Sequence, residues 1–152
     1  MSLRNILTPG RAICGVPCTS KKRTLEYIAN FIGREQPGLD PMDLFTQLVT
    51  REKLGSTGLG NGFALPHCRM VGCVRPEALF LRLADPIDFD AVDRLPIDLV
   101  FALVVPEMET EKHLDFLRLI AEQFSNQELC QELRLTKDSE TLYKLLTDKV
   151  TA

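Results

Sequence analysis

The chain reads as an α/β protein, and three observations predict it. The stretch Ile97-Asp98-Leu99-Val100-Phe101-Ala102-Leu103-Val104-Val105 is apolar at nearly every position and does not alternate. A strand of that kind is covered on both faces. Amphipathic helical periods stand on both sides of it in the chain, and strands mixed with helices make a layered α/β architecture. At 152 residues, with no repeat, low-complexity tract or long linker, the chain fits one domain spanning 1–152 with one real core.

Each element follows from local signals. Thr8-Pro9-Gly10 marks a turn, and Arg11 to Val16 reads as a short strand. Thr19 or Ser20 caps a helix whose Leu25, Ile28, Ala29 and Ile32 share one face, and Gly33 ends it. Pro37-Gly38 breaks the chain. Asp40 as N-cap and Pro41 at the first helical position open the next helix, with Leu44, Phe45, Leu48 and Val49 on its apolar side. That helix runs out near Lys53-Leu54-Gly55, so Arg51 lies in its last turn, where the macrodipole favours a cation.

The segment Arg51-Glu52-Lys53-Leu54-Gly55-Ser56-Thr57-Gly58-Leu59-Gly60-Asn61-Gly62-Phe63-Ala64-Leu65-Pro66-His67 is expected to be a shaped, glycine-rich loop rather than regular structure. Phe63-Ala64-Leu65 reads as a strand or an extended approach that delivers His67. Glu77 to Ala84 is a strand, and Asp85, Asp88, Asp90 and Asp93 lie in a solvated connection. After the strand from Pro96 to Val105, Glu107-Met108-Glu109-Thr110-Glu111-Lys112-His113 opens a helix carrying Leu114, Leu117, Ile120, Ala121 and Phe124. His113 sits in its first turn, beyond a buried strand's end, where ligands bind in open α/β sheets. Ser125-Asn126-Gln127-Glu128 has the form of a capping box before Leu129 and Leu133. A last helix starts at Asp138 or Ser139 and carries Leu142, Leu145 and Leu146.

Composition narrows the function. A net charge of -3 gives no nucleic-acid footprint. The longest apolar run, Leu99 to Val105, is far short of the roughly 18 residues of a membrane span. The N-terminus lacks the apolar core of a signal peptide, so a cytoplasmic location is expected. Five cysteines, an odd number without export signal, read as reduced thiols.

Several chemistries are open at the glycine-rich segment. Gly58-Leu59-Gly60-Asn61-Gly62 is not GxGxxG, and no Gly-Lys-Ser/Thr ending makes a P-loop. Cys68 with His113 could form a nucleophile pair, and Ser56 lacks the Gly-x-Ser-x-Gly setting of a hydrolase. His67, Cys68 and Cys73 raise a zinc or thiol-regulator reading, without the usual ligand spacing. The third chemistry makes His67 itself the nucleophile. A neutral imidazole can take a phosphoryl group, which then carries close to two negative charges. Arg51, His113 and the Ser56 or Thr57 hydroxyl are the residue types that would hold it.

The same residues resemble a known signature. The stretch from Arg51 to His67, together with Leu7-Thr8-Pro9, Val16-Pro17-Cys18-Thr19-Ser20-Lys21-Lys22 and Glu111-Lys112-His113-Leu114, resembles the mannitol/fructose-type IIA domains of the bacterial phosphotransferase system. It is most similar to the nitrogen-regulatory IIA-Ntr (PtsN) branch. The resemblance implies one α/β domain with a mixed sheet flanked by helices on both faces. It implies phosphorylation on His67, with His113 and Arg51 in the same site and Ser56, Thr57, Gly58 and Asn61 as phosphoryl-binding loop positions. It implies no cofactor and no metal.

The donor would be an HPr-like protein, NPr, charged by an enzyme I homologue from phosphoenolpyruvate. The targets would be regulatory partners such as potassium-transport regulators or sensor kinases. Sugar-transporting members tend to carry a glutamate six residues before the active histidine, where this chain has Asn61. The alternatives are a sugar-specific IIA component passing phosphate to a IIB domain, and a non-catalytic interaction module. Cys68, where a glycine is common, and Cys73 depart from the pattern.

Overall fold

The structure, a computed structural model, describes residues 1–108 and 110–152. The chain opens with a single helical turn, α1 (Leu3–Ile6), and a 3-10 turn at Pro9–Arg11. Then follow β1 (Ala12–Val16), α2 (Lys21–Gly33), α3 (Pro41–Leu54), β2 (Gly58–Gly60), β3 (Phe63–Ala64) and β4 (His67–Met70). The second half holds β5 (Glu77–Ile87), β6 (Ile97–Pro106), α4 (Thr110–Gln123), α5 (Gln127–Arg134) and α6 (Ser139–Lys149). Glu109, one of the residues expected to open α4, lies outside the described residues.

The strands form one mixed sheet in the order β1-β5-β6-β3-β2, with β4 also on β6. β5 is antiparallel to β6, while β3 and β4 run parallel to it, one after the other along the same side. The unalternating apolar sequence of β6 is explained by two cores. Val100, Ala102 and Val104 pack with Leu25, Ile28, Leu44 and Leu48 of α2 and α3. Leu99, Phe101 and Leu103 pack with Phe116, Ile120, Phe124, Leu133 and Leu142 of α4 to α6. The expected α/β fold with helices on both sheet faces is what forms.

The helix starts follow their sequence signals. Ser20 accepts the Arg23 N–H at 3.1 Å, and Asp138 accepts that of Thr141 at 2.7 Å. Pro41 occupies the first turn after Asp40. One cap differs from the expectation: Asn126, not Ser125, caps α5, its side chain accepting from Glu128 and Leu129. The Ser125 hydroxyl instead donates to the Glu122 carbonyl at the end of α4, at 2.6 Å.

The glycine-rich segment also differs from the expected loop. Gly58–Gly60 pairs antiparallel with Phe63–Ala64, and Asn61 and Gly62, both at positive φ (56° and 74°), turn the hairpin. An Asn-Gly pair is the residue pair such a two-residue turn selects. A Cβ on Gly62 would lie 2.8 Å from an Asp98 carboxylate oxygen, so the position is doubly restricted. β5 also runs past Ala84 to Ile87, its register with β6 slipping between Arg82 and Ile87.

Candidate functional site

Where β3 gives way to β4, Leu65 and Pro66 interrupt the ladder, and the Pro66 carbonyl accepts the Leu103 N–H at 3.0 Å. His67 resumes pairing opposite Leu103, and Cys68 opposite Val104. Alternation then separates the two neighbours. Cys68 joins the core under α2 and α3, whereas His67 takes the parity of Leu103, on the face where α4 packs. This strand was not expected from the sequence, because four residues are too short to show a period.

β4 pairs only with β6 among the described residues, so its outer side is available. There a cleft of about 810 Å³ opens between α3 and α4. His67 lines it from β4, Arg51 from the last turn of α3 and His113 from the first turn of α4. Asp43, Arg69 and Glu107 contribute further charge, and Leu54, Val71 and Leu114 form a rim of exposed apolar side chains. Three residues distant in sequence thus share one cavity wall.

The His67 ring has a defined tautomer. Its Nδ1 lies 2.7 Å from the Leu65 carbonyl oxygen. A carbonyl only accepts, so Nδ1 carries the hydrogen and the neutral ring keeps its lone pair on Nε2. Burial holds the ring's pKa below the ordinary histidine value. The Leu65 carbonyl opposes this, the Arg51 cation adds to it, and the Glu52 carboxylate also opposes it. Both the burial and the Leu65 contact are consistent with a neutral ring whose lone pair is on Nε2.

Arg51 donates to the Gly55 carbonyl at 2.8 Å and meets no carboxylate among the described residues. Its charge is left for the cleft. His113 is buried, 5% exposed, at the head of α4. Burial, with Cys73 nearby, pushes the Cys68 thiol up to about 12, so the thiolate form is disfavoured there. All five cysteines are free thiols, and among the described residues no group of three or more His, Cys, Asp or Glu could hold a metal ion.

The four loop positions lie elsewhere. The Ser56 hydroxyl donates to the Phe89 carbonyl at 2.8 Å and accepts the Gly58 N–H at 3.0 Å. Thr57, 1% exposed, gives both its N–H and its hydroxyl to Glu52. Gly58 is packed against Ala91. Asn61 sits at the hairpin tip, its side chain donating to the Ser125 carbonyl at 3.1 Å. None of the four lines the cleft.

Sequence reasoning missed the Leu65 carbonyl and Glu52. The first is backbone and has no side-chain signal. The second had one: a carboxylate in a helix's last turn opposes the macrodipole, so a nearby cation was to be expected. Lys21 is that cation, its Nζ 2.8 Å from Glu52.

Residues 5–149 match the family described as phosphoenolpyruvate-dependent sugar phosphotransferase system, EIIA 2. The chain is 51% identical over 146 residues to a nitrogen regulatory protein of Pseudomonas aeruginosa, covering 96% of this chain and 95% of that one. Its structure is similar to the crystal structure of nitrogen regulatory protein IIA-Ntr from Neisseria meningitidis. The TM-score is 0.88 and the identity 37%, over 93% of this chain and 97% of that one. The mannitol IIA of Escherichia coli shares the fold, with a TM-score of 0.76 at 16% identity over 92% of this chain and 98% of that one.

Proposed function

The chain belongs to the EIIA 2 family of the phosphoenolpyruvate-dependent sugar phosphotransferase system, and from that premise we propose that it is a phosphohistidine carrier charged on Nε2 of His67. One observation supports this most: the Nδ1–H of His67 is held by Leu65, leaving an Nε2 lone pair on a ring that shares its cleft with Arg51 and His113.

The transfer balances without a net proton. The Nε2 lone pair attacks phosphorus of a phosphohistidine on the donor. The donor's P–N bond breaks, its electron pair returns to the donor ring, and an Nε2–P bond forms. Each ring keeps its other N–H. The charged ring of phosphorylated His67 becomes cationic, which strengthens the Nδ1–H bond to Leu65. The phosphoryl oxygens need donors that hold negative charge, and Arg51 and His113 have that role. Charge-assisted bonds of this kind are worth about 1.5–3 kcal/mol each.

The donor in this reading is an HPr-like protein, NPr, and the readout is regulatory. Relatives named nitrogen regulatory protein support a regulatory use, and Asn61 in place of the glutamate of sugar carriers points the same way. Regulated partners such as potassium-transport regulators or sensor kinases would read the phosphorylation state in the cytoplasm. Among the described residues no helix is long and apolar enough to cross a membrane.

The test is intact mass after incubation with phosphoenolpyruvate, an enzyme I homologue and its HPr-like partner. The expected result is a gain of one phosphate that is absent in His67→Ala. An unchanged mass under conditions that charge the donor would refute the carrier role.

A further inference from the structure

A chain of hydrogen bonds, buried at its Glu52 end, runs from the last turn of α3 to the His67 ring. It begins at Glu52, 8% exposed beside Arg51. The carboxylate accepts the Thr57 N–H at 3.1 and 3.2 Å, and also the Thr57 hydroxyl. The Thr57 carbonyl accepts the Leu65 N–H at 2.9 Å. The Leu65 carbonyl accepts the His67 Nδ1–H at 2.7 Å. Lys21 closes the far end, its Nζ 2.8 Å from Glu52 and 5.1 Å from the centre of the Phe89 ring.

We propose that Glu52 is a positioning residue for phosphoryl transfer: through Thr57 and Leu65 it fixes the tautomer and the placement of the His67 ring, with Lys21 holding the carboxylate in place. The proposal rests on the phosphocarrier reading for its effect on rate, but not for its geometry.

Three features carry it. First, the carboxylate's setting is costly, since it lies at a helix C-terminus and out of water. Only full pairing stabilises it there, and Lys21 with the two Thr57 donors supplies that pairing. Second, the links are rigid because Thr57 and Leu65 are 1% and 4% exposed, so a shift at Glu52 is carried to the ring rather than absorbed by solvent. Third, Arg51 and Glu52 grip the same turn at two points, Gly55 and Thr57. One helix end therefore sets both the guanidinium and the imidazole. The two neighbours also act on the ring with opposite sign, the guanidinium against a cationic ring and the carboxylate for it. The chain is mechanical rather than a proton relay, because the N–H and the C=O used at each step belong to different peptide groups. It gives Thr57 a role through His67 instead of on the phosphoryl group.

The experiment uses the full chain labelled with 15N, reading the His67 ring by imidazole 15N–1H correlation and the rate of phosphate acceptance by mass. The intact protein is expected to show one tautomer, with hydrogen on Nδ1. Glu52→Gln and Thr57→Val are expected to give a mixture of tautomers. Acceptance should slow by roughly 10- to 100-fold, the scale of an ångström of misplacement at a reacting group. Thr57→Ser, which restores the hydroxyl, should recover both. If Glu52→Gln does not fold, Lys21→Met and the Thr57 pair carry the same test.

Folded variants that keep the single tautomer and the original rate would overturn the proposal, as would an Nε2–H tautomer in the intact protein. The tautomer needs no donor. Failure of the unmodified protein to accept phosphate would therefore strike the carrier reading alone, and the ring's response to Glu52 would still decide the positioning claim.

Discussion

At the Ile97 end of β6, Arg134 donates through Nε to both oxygens of Asp98, at 2.9 and 2.8 Å, and through Nη2 to the Asn61 carbonyl. Asn61 in turn ties the hairpin tip to Ser125 and Gln127. At the Pro106 end, Arg51 donates to a single loop carbonyl and faces a cleft with two imidazoles. Both regions put an arginine beside the same hairpin. At one end the guanidinium is neutralised and serves as a strut between α5, β6 and the turn. At the other it lacks a carboxylate among the described residues, and its charge is available to an incoming anion. An arginine near a glycine-rich turn is thus not in itself an anion site. What separates the two is whether the fold supplies the carboxylate.

The sharpest way to break this contrast is to remove the His67 ring. His67→Ala should abolish phosphate acceptance while leaving the far end untouched, as read by intact mass and by the unfolding midpoint. Next comes Arg51→Ala. It should slow acceptance by roughly 10- to 100-fold, the equivalent of losing one charge-assisted bond, and should barely change the unfolding free energy. A variant with a normal rate would mean that this cation does not serve the cleft.

Arg134→Ala should do the reverse. Both partners of its ion pair are partly exposed, at 31% and 19%. The loss should therefore be about 1–2 kcal/mol in denaturant unfolding, with acceptance unchanged. A large drop in acceptance here would erase the distinction between strut and site.

The smallest effects are in titration. In the fold His67 should titrate below the ordinary histidine value of 6.5. The unfolded chain then binds more protons as pH falls past that value. The ring's part of the stability is intact above about pH 6.5 and declines as the pH drops toward the folded midpoint. His67→Gln should remove this acid-side decline. Removing the two neighbouring charges sharpens the picture: Arg51→Ala should raise the His67 midpoint, whereas Glu52→Gln should lower it. An NMR titration in which both move it the same way would contradict the geometry of the α3 end.

Much of this was legible in residues. The unbroken apolar run of β6 announced a strand covered twice, and Ser20, Asp138 and the Asp40-Pro41 step announced helix starts that the structure keeps. Arg51, His67 and His113 stood out as the residue types able to handle phosphate, and all three line one cleft. The hairpin was less legible. Its strands are three and two residues long, and glycines in them mimic a loop; the Asn61-Gly62 turn was the available signal. β4 hid for the same reason. The Ser56 and Thr57 hydroxyls could be recognised as donors, but their partners could not, since Phe89 is distant in sequence and the signal at Glu52 pointed to a cation rather than to Thr57.

By itself the sequence determined the covered central strand, the caps at Ser20 and Asp138 and the inventory of chemistry at the cleft, because these depend on local periodicity, side-chain reach and residue type. Only the tertiary structure decided which face of the sheet His67 takes and which Cys68, that the ring's hydrogen lies on Nδ1, and that Arg134 meets a carboxylate while Arg51, among the described residues, does not. Those outcomes depend on strand register and on which carboxylate or carbonyl arrives from a distant element. Such pairings cost chain entropy to form and leave no local trace in the residues that make them.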